Sequence, residues 1–414
     1  MTPSTLPALS DMKEKTKMRK TIKTRILLLS DTHSSLPLPA ESQSQVQLQV
    51  PFHTPLPSAD VLIHTGDLTM TGSLAEHRSA IQLIRSVDAP LKIVIPGNHD
   101  LTLDRDYYSK HHTGLHASYA KYSDEVLAEI QDLYSGTKAR GAGVRYMVEG
   151  RASYRVPSNG ARLNVYASAW QPEFWNWAFG YARDVDRFNL PLQNPETHPE
   201  TTNSETNPGS TKSEESKPLP DEPENSEEEE DQSKQGKPPR DKPENPVPGF
   251  DDDDDDGKNG VDVMLTHGPP MGILDQTMRE GETVGCEHLR RAVERCRPRM
   301  HCFGHIHEAW GACRKRWDDD VDESTTTSNN NQEGEGSQGD GRTHAIDPGS
   351  YDGLVDRRGA YVDATDLEYG KETLFVNASI MDLQYRPLNA PWVVDLELPV
   401  ASGDEGEDED EDGH

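Results

Sequence analysis

Five short segments of this 414-residue chain combine histidine, aspartate or asparagine with glycine, serine or threonine, and each directly follows an apolar run. They lie at 30–33, 64–67, 96–100, 266–268 and 304–307. Imidazole nitrogens, carboxylates and amide oxygens are donors that bind Mn, Fe, Zn and similar divalent ions. One such segment alone is more often turn chemistry than a metal site. Together they favour a metal centre, because burying so many ionisable groups without a cation would cost several kcal/mol.

The runs that precede these segments predict a buried sheet. They lie at 26–29, 61–63, 92–95, 261–265 and 300–303, and a sixth run lies at 373–376. Near-continuous apolar character is typical of strands that are buried on both faces. Because open α/β sheets place their ligand sites at the carboxyl ends of strands, we expect the five polar segments to converge.

Helical patterns alternate with these runs, at 73–87, 118–134 and 284–296. Alternating strands and helices predict an α/β fold with crossover helices. The stretch 143–170 differs, because apolar and polar residues alternate in it, as at Val144 and Tyr146. That period of two predicts antiparallel strands, which we place in a second sheet.

The acidity of the chain is confined to appendages. Asp and Glu outnumber Lys and Arg by 73 to 42, and the whole net charge of −31 lies in 193–257, 317–341 and 401–414. Such low-complexity acidic stretches are typical of disorder, and long loops add little closure entropy. The predicted organisation is a disordered basic N-terminus at 1–24, a single domain at 25–400, disordered acidic inserts at about 186–258 and 317–342, and a disordered acidic tail at 401–414.

The sequence also favours a cytoplasmic protein. It has neither an apolar stretch long enough to span a bilayer nor a secretory signal, and its four cysteines show no CxxC spacing. We therefore expect reduced thiols, and neither a membrane nor a nucleic-acid polymer as partner. A separate hypothesis is that the acidic inserts are the functional part and bind protein partners, whose identity the sequence does not give.

A pair of divalent ions needs one ligand that contacts both, and a carboxylate can bridge them while neutralising part of their charge. Asp67 follows Gly66 in a predicted tight turn and suits this role. Two divalent ions, together with Asp31, Asp67 and a bound hydroxide, would carry a net positive charge. That charge suits a phosphate group as substrate.

The ordered set of segments resembles the calcineurin-like metallophosphoesterase superfamily. The resemblance is carried by Asp31-x-His33, Gly66-Asp67, Gly97-Asn98-His99-Asp100, His267 and Gly304-His305-x-His307. Residues 169–174 and 375–379 are similar to small metallophosphoesterase-domain-containing proteins related to class III cyclic-nucleotide phosphodiesterases. The resemblance implies a two-sheet β-sandwich flanked by helices, which is the four-layer fold of that superfamily.

The resemblance also implies a role for each site residue. One divalent metal ion would be bound by Asp31, His33, Asp67 and His307, and a second by Asp67, Asn98, His267 and His305. His99 would act as leaving-group acid or transition-state stabiliser, with Asp100 orienting its ring. The donor types do not select among Mn, Fe, Zn, Co and Ni.

Two classes of function follow from these patterns. The first is a metal-dependent phosphoester hydrolase in which a hydroxide bound between two metal ions attacks phosphorus in line. Its expected substrate is a small phosphodiester, with a cyclic nucleotide as one candidate and a phosphomonoester as an alternative. The second is a non-catalytic nucleotide-binding or scaffold protein that retains the fold. A protein phosphatase is disfavoured, because no arginine occurs in 66–72 and the third motif ends in Asp100 rather than Glu.

Two further groups have open interpretations. An aromatic cluster comprises Phe174, Trp175, Trp177, Phe179 and Tyr181. Core or loop packing is the expected role of that cluster, and a wall that stacks a nucleobase is the alternative. We expect the basic residues 314–316 to form a solvent-facing turn, with phosphate contact as the alternative.

Overall fold

The structure is a computed structural model that describes residues 20–39, 42, 49–112, 121–190, 245–250, 260–278, 282–317 and 343–401. Most of the predicted disordered N-terminus, both acidic inserts over most of their length and nearly all of the acidic tail lie outside the described residues. The predictions of disorder in those segments therefore stay predictions.

The described residues form strands and helices in alternation over much of the chain. The strands are β1 (Thr21–Leu29), β2 (Val61–Thr65), β3 (Leu91–Ile95), β4 (Val144–Tyr146), β5 (Glu149–Arg155), β6 (Arg162–Ser168), β7 (Gln171–Pro172), β8 (Gly180–Tyr181), β9 (Val263–Thr266), β10 (Met300–Phe303), β11 (Gly311–Arg316), β12 (Thr343–Ala345), β13 (Ala360–Ala364), β14 (Glu372–Asn377) and β15 (Trp392–Pro399). The helices are α1 (Leu74–Ser86), α2 (Arg105–His111), α3 (Asp124–Ser135), α4 (Thr137–Gly141), α5 (Glu287–Cys296) and α6 (Tyr351–Arg357). None of these helices is long and apolar enough to cross a bilayer.

Two large sheets face each other. The first has the strand order β13-β15-β1-β2-β3-β4 and is parallel except where β1 meets β15. The second has the order β12-β11-β14-β10-β9-β6-β5, with a parallel centre made by β14, β10, β9 and β6. Antiparallel strands complete both edges of the second sheet.

The core follows the period of two along each strand. Ile26 and Leu28 of β1 point into a cluster that also contains Val263 and Leu265 of β9, so the first core lies between the sheets. Leu27 and other outward residues of the first sheet pack against α1 and α3. A third cluster packs α5 against the outer face of the second sheet. The predicted fold, helices outside a two-sheet sandwich, is confirmed.

Local signals in the sequence explain where α1 begins. Ser73 is its N-cap, and its side chain accepts a hydrogen bond from the backbone of Glu76 while the Glu76 side chain bonds back to Ser73. The helix then buries Ile81, Leu83 and Ile84 on one face. This packing positions the connection between β2 and β3, whose ends carry two of the polar segments.

Three expectations about elements need correction. β4 does not join the second sheet: Val144 pairs in parallel with Lys92 of β3, because α3 and α4 return the chain to the edge of the first sheet. The helix predicted at 118–134 begins only at Asp124, after the N-cap Ser123. β1 begins at Thr21, inside the predicted disordered N-terminus, because its first residues pair with the end of β15.

The borders of the predicted inserts also belong to the folded part. Phe188 and Val247 are buried, and the Val247 amide donates to the Phe188 carbonyl at 3.0 Å. Trp317 is buried as well, and its indole donates to Thr373 Oγ1 at 2.9 Å. The sequence pattern does not predict these borders, because single apolar residues within polar sequence give no periodic signal.

Candidate metal centre

The five polar segments meet at one end of the sandwich. The loops after β1, β2 and β3 come from the first sheet, and those after β9 and β10 come from the second. Three groups of potential metal donors form there, each with its donor atoms within 4.8 Å of one another. They are Asp31, His33 and His307; His33, Asp67 and His99; and Asp67, His267 and His305.

Unusual backbone conformations point these side chains inward. Asp31, His33, Asp67 and His305 have φ of 51°, 44°, 52° and 68°, a left-handed region that residues other than glycine seldom adopt. The loop after β1 is bonded to the loop after β2, because the amides of Asp31 and His33 donate to the carbonyls of Gly66 and Asp67 at 2.9 and 3.0 Å. These bonds offset the strain and fix the two aspartates relative to each other.

Two glycines permit the close approach of the loops. A Cβ atom at Gly304 would lie 2.0 Å from Asp31 Oδ2, and one at Gly97 would lie 2.4 Å from Asp67 Oδ1. Either distance is too short for any side chain. Both glycines are thus explained by the aspartates that lie against them.

Asp67 lies between two sets of imidazoles and presents one oxygen to each. Its Oδ2 is 3.7 Å from His33 Nε2, whereas its Oδ1 is 3.4 Å from His267 Nε2. On the first side, His307 Nε2 is 3.4 Å from His33 Nε2 and 3.5 Å from Asp31 Oδ1. On the second side, His267 Nε2 is 2.8 Å from Asn98 Oδ1.

The tautomers of three rings leave nitrogen lone pairs facing one another. The Nδ1 atoms of His33, His267 and His307 lie 3.0, 2.9 and 3.2 Å from the backbone carbonyls of Thr69, Thr65 and Asp382. A carbonyl only accepts, so each Nδ1 carries the proton in the neutral ring, and each Nε2 is a bare acceptor. The 3.4 Å contact between His33 Nε2 and His307 Nε2 then joins two acceptors. A cation between them removes this repulsion, so the residues present fit a metal site.

A family model described as Calcineurin-like phosphoesterase matches residues 24–309. The chain belongs to this family. The human "Metallophosphoesterase domain-containing protein 1" is 25% identical over 383 residues, which cover 91% of this chain and 72% of that protein, and the mouse protein of the same name gives the same values. The Caenorhabditis elegans "UPF0046 protein T07D4.2" is 27% identical over 263 residues, covering 62% of this chain and 48% of that protein.

Membership of the calcineurin-like phosphoesterases confirms the resemblance seen in the sequence and supports a phosphoesterase-type hydrolase. The donor groups agree with divalent metals, which this family binds. The finer assignments, two ions and a phosphodiester substrate, are taken up below as proposals.

The electrostatics of the centre favour ionised aspartates and the neutral forms of His33 and His305. Burial opposes ionisation of Asp67, but the neighbouring His267 and His99 hold its pKa well below the ordinary value. Burial likewise opposes ionisation of Asp31, and His307 lowers its pKa. Burial lowers the pKa of His33 to about 4 and that of His305 to about 3. Deprotonated imidazoles beside carboxylates are the form in which both groups bind metals.

His267 and His307 differ from these rings, because a neighbouring aspartate outweighs burial and raises the pKa of each. Burial lowers the pKa of His267, but Asp67, which lies 3.4 Å from its Nε2, outweighs burial and raises the pKa to about 9. In the absence of a cation, a proton on Nε2 would therefore compensate the charge of Asp67. A metal ion and this proton compete for the same nitrogen.

The expected contact between Asp100 and the ring of His99 is wrong. His99 Nδ1 lies 2.8 Å from the carbonyl of Met70, which fixes the ring. The Asp100 carboxylate instead accepts from the amides of Leu68, Thr69 and Gly97 and from Thr69 Oγ1, at 2.7–3.1 Å. These hydrogen bonds hold the Asp100 carboxylate away from the ring and in the turn that carries Asp67. Asp100 therefore joins two site loops, and burial followed by the charge of Asp67 raises its pKa to about 7.

The aromatic cluster divides into two parts. Phe179 and Tyr181 are buried, as expected for packing residues, whereas Phe174 and Trp175 are 57% and 72% exposed. The two exposed rings line a cavity of about 580 Å³ that also contacts Asp67, Asn98 and His99. Trp177 stacks on the His99 ring at 4.1 Å between centroids.

The basic residues 314–316 do not form the expected turn. They lie in β11, and Arg314 forms ion pairs with Asp366 and Glu372 at 3.0 and 2.5 Å. Because its guanidinium pairs with these carboxylates, the alternative of phosphate contact is also unsupported.

Two further residues lie near the donors without a role predicted from the sequence. Ser379 donates to Asp31 Oδ2 at 2.8 Å, and Tyr385 lies edge-on to His33 at 5.0 Å between ring centroids. Ser379 follows β14 just as the other polar segments follow their strands, so the same rule applied to the sixth run identifies it. Tyr385 lies in a later loop, and no pattern in the sequence distinguishes it.

Proposed function

We propose that this calcineurin-like phosphoesterase is a phosphodiesterase that holds two divalent metal ions. The observation that carries the proposal is the division of the Asp67 carboxylate, with one oxygen facing His33 and the other facing His267. Asp31, His33 and His307 would complete the first ion's ligands, and Asn98, His267 and His305 those of the second. This arrangement is the one that a bridging carboxylate requires.

Bound divalent ions would act as Lewis acids and lower the pKa of a water molecule that attacks phosphorus in line. The residues of the chain have separate tasks around that chemistry. His99 places a ring nitrogen within 4.8 Å of donor atoms of His33 and Asp67, where its imidazolium form can donate a proton to the leaving oxygen or a hydrogen bond to the phosphoryl group. The Met70 carbonyl and the Trp177 ring fix its orientation.

The cavity supports a diester rather than a bare phosphate as substrate. Its volume of about 580 Å³ exceeds what the phosphoryl group alone needs, and the exposed rings of Phe174 and Trp175 offer apolar contact to an ester group. A cyclic nucleotide is one phosphodiester with a planar group that could stack there. A phosphomonoester is the alternative substrate within the same proposal.

We also propose a small phosphoester, not a nucleic-acid polymer, as partner, and a cytoplasmic location. Charge outside the acidic segments is balanced, which does not favour a polyanion. All four cysteines are free and buried, and free thiols are typical of reducing compartments.

The test is turnover of an aryl phosphodiester by protein loaded with Mn, Fe, Zn, Co or Ni. Asp67→Asn keeps the size of the side chain but removes the charge that bridges the two donor sets, so turnover should fall at least about 1,000-fold. Asp88→Asn, at an exposed site after α1, is the matched control and should retain full activity. An active wild-type protein whose Asp67→Asn variant is equally active would refute the proposed role of Asp67.

The rival function is nucleotide binding without catalysis. The full set of donors around Asp67 argues against it, since binding alone does not require a pair of cations. Calorimetry distinguishes the two: tight binding of a nucleotide without turnover under any of the five metals would favour the rival.

A further inference from the structure

Tyr385 occupies a position that packing alone does not explain. Its ring lies edge-on to His33, His307 and His99, with centroids 5.0, 5.3 and 6.2 Å apart. The residue nevertheless remains 45% exposed and lines the cavity that contains the candidate metal centre. A tyrosine that served only as a core residue would be buried.

The backbone holds Tyr385 in this position at an energetic cost. Its φ is 56°, a left-handed conformation that is rare for a bulky residue. The turn is fixed by Asp382, whose carboxylate accepts from the amides of Gln384 and Arg386 at 2.9 Å and pairs with the Arg386 side chain. The Asp382 carbonyl accepts from the Tyr385 amide at 3.0 Å.

The same carbonyl connects the turn to the metal centre. It lies 3.2 Å from His307 Nδ1, so one backbone oxygen fixes both a candidate metal ligand and the tyrosine. The position of Tyr385 relative to the donors is therefore set by direct contacts. Within the described part of the chain, its hydroxyl makes no hydrogen bond, although the edge of the ring is in contact with imidazoles.

We propose that the Tyr385 hydroxyl donates a hydrogen bond to a non-bridging phosphoryl oxygen of the substrate, an inference that rests on the proposed function. The hydroxyl keeps its proton and breaks no bond. It stabilises the negative charge that increases on the phosphoryl oxygens as the nucleophile approaches. Tyr385 is then a substrate-contacting residue, and it is the only tyrosine among the described residues that line this cavity.

Tyr385→Phe tests this role, because it keeps the ring that contacts the imidazoles and removes only the hydroxyl. In metal-loaded protein, kcat/KM for an aryl phosphodiester should fall about 10- to 100-fold, with a rise in KM and a loss in kcat, because the bond forms to the bound ester and strengthens in the transition state. Metal content by elemental analysis should be unchanged. Tyr361→Phe, on β13, removes a hydroxyl that contacts Asp395 and should keep kcat/KM within about twofold.

Tyr385→Leu separates the hydroxyl from the ring. If Tyr385→Phe is as active as wild type and only Tyr385→Leu loses activity or metal, the ring merely covers the histidines and the inference is overturned. If both variants lose activity while both retain two metals, the hydroxyl assignment is supported.

Calorimetric binding of inorganic phosphate to the metal-loaded protein supplies a second readout that needs no turnover. Tyr385→Phe should weaken phosphate binding about tenfold, and an unchanged dissociation constant would contradict the inference. A wild-type protein that binds phosphate but hydrolyses no ester refutes the proposed function, while the effect of Tyr385→Phe on phosphate binding still decides the contact.

Discussion

Asp67 shows how a single side chain can organise the centre. It is 2% exposed, its backbone is left-handed, and its two oxygens face different imidazoles. The His99 amide donates to Oδ1 at 2.8 Å, so the backbone itself fixes the orientation of the carboxylate. Such preorganisation lowers the cost of metal binding, because little conformational freedom is lost on binding.

Asp100 supports the orientation of Asp67 by accepting hydrogen bonds from the amides of Leu68 and Thr69, which follow it. Asp100→Asn replaces a group that accepts four hydrogen bonds by an amide with one oxygen, which leaves buried donors of the Asp67 turn without partners. Urea unfolding should show a loss of about 2–4 kcal/mol in the free energy of unfolding. The exposed Asp88→Asn serves as control.

The two accounts of Asp100 differ in a second measurement. If Asp100 joins the loops, Asp100→Asn should weaken metal retention. If Asp100 acts through the His99 ring, Asp100→Asn should instead alter the pH profile of kcat at full metal occupancy. A variant with normal stability and normal metal content but a shifted profile would restore the role first expected from the sequence.

At the scale of elements, the site depends on loops of two different sheets being in van der Waals contact. Gly304, after β10, lies against Asp31, after β1. Gly304→Ala should displace Asp31 and lower metal affinity on the His33 and His307 side at least about tenfold, measured as metal retained after gel filtration.

A matched glycine on the surface controls for that change. A Cβ atom at Gly141, the last residue of α4, would have no neighbour within 4 Å, so Gly141→Ala should keep both metals and the full stability. Equal metal content in Gly304→Ala and Gly141→Ala would show that the loops tolerate separation.

The pairing of β1 with β15 predicts a dependence of stability on pH. Asp395 has no exposed side-chain surface and pairs with Arg25 at 2.8 Å and with Lys23 at 2.7 Å. Burial opposes ionisation, but the hydrogen bonds from Arg25, Lys23 and Tyr361 lower its pKa. The folded pKa is below the unfolded value of about 3.9, so this stabilisation is present above pH 4 or so and is lost as the pH falls through the folded pKa.

Asp395→Asn isolates this contribution. At pH 7 the variant should be less stable by about 1–3 kcal/mol, a value reduced because both cations are half-exposed. The difference from wild type should shrink as the pH falls from about 5 to 2, measured by urea unfolding. A difference that is constant over this range would mean that ionisation of Asp395 does not contribute.

At the scale of the whole molecule, residues near the end of the acidic segment 193–257 contact the folded part of the chain and anchor the segment to it. Arg295 donates to the Val247 carbonyl at 2.7 Å, and Tyr166 Oη donates to the Asn245 carbonyl at 2.9 Å. Replacing 191–244 by a short Gly-Ser linker should change Tm by less than about 2 °C, because these anchors remain.

Extending that deletion to 250 gives the contrast. It removes buried Val247 and the contact between Phe250 and Tyr369, so Tm should fall by about 3 °C or more. Equal Tm values for both deletions would show that the anchors contribute nothing to stability.

The convergence of the polar segments is more predictable from the sequence than the contacts around them. Each segment follows an apolar run, and strand order brings the ends of those runs together. β4 was assigned to the wrong sheet, because alternation in a three-residue strand does not identify its partner. Asp100 was misassigned because adjacency in sequence does not give the direction of a side chain, and Tyr385 was missed because its position depends on the turn at Asp382.

Anomalous X-ray scattering from crystals of the metal-loaded protein, combined with elemental analysis, tests the central claim most directly. We predict two metal ions per chain, about 3.5–4 Å apart, with Asp67 contacting both. One peak should lie among Asp31, His33 and His307, and the other among Asn98, His267 and His305. A single ion, or two ions of which only one contacts Asp67, would contradict the account.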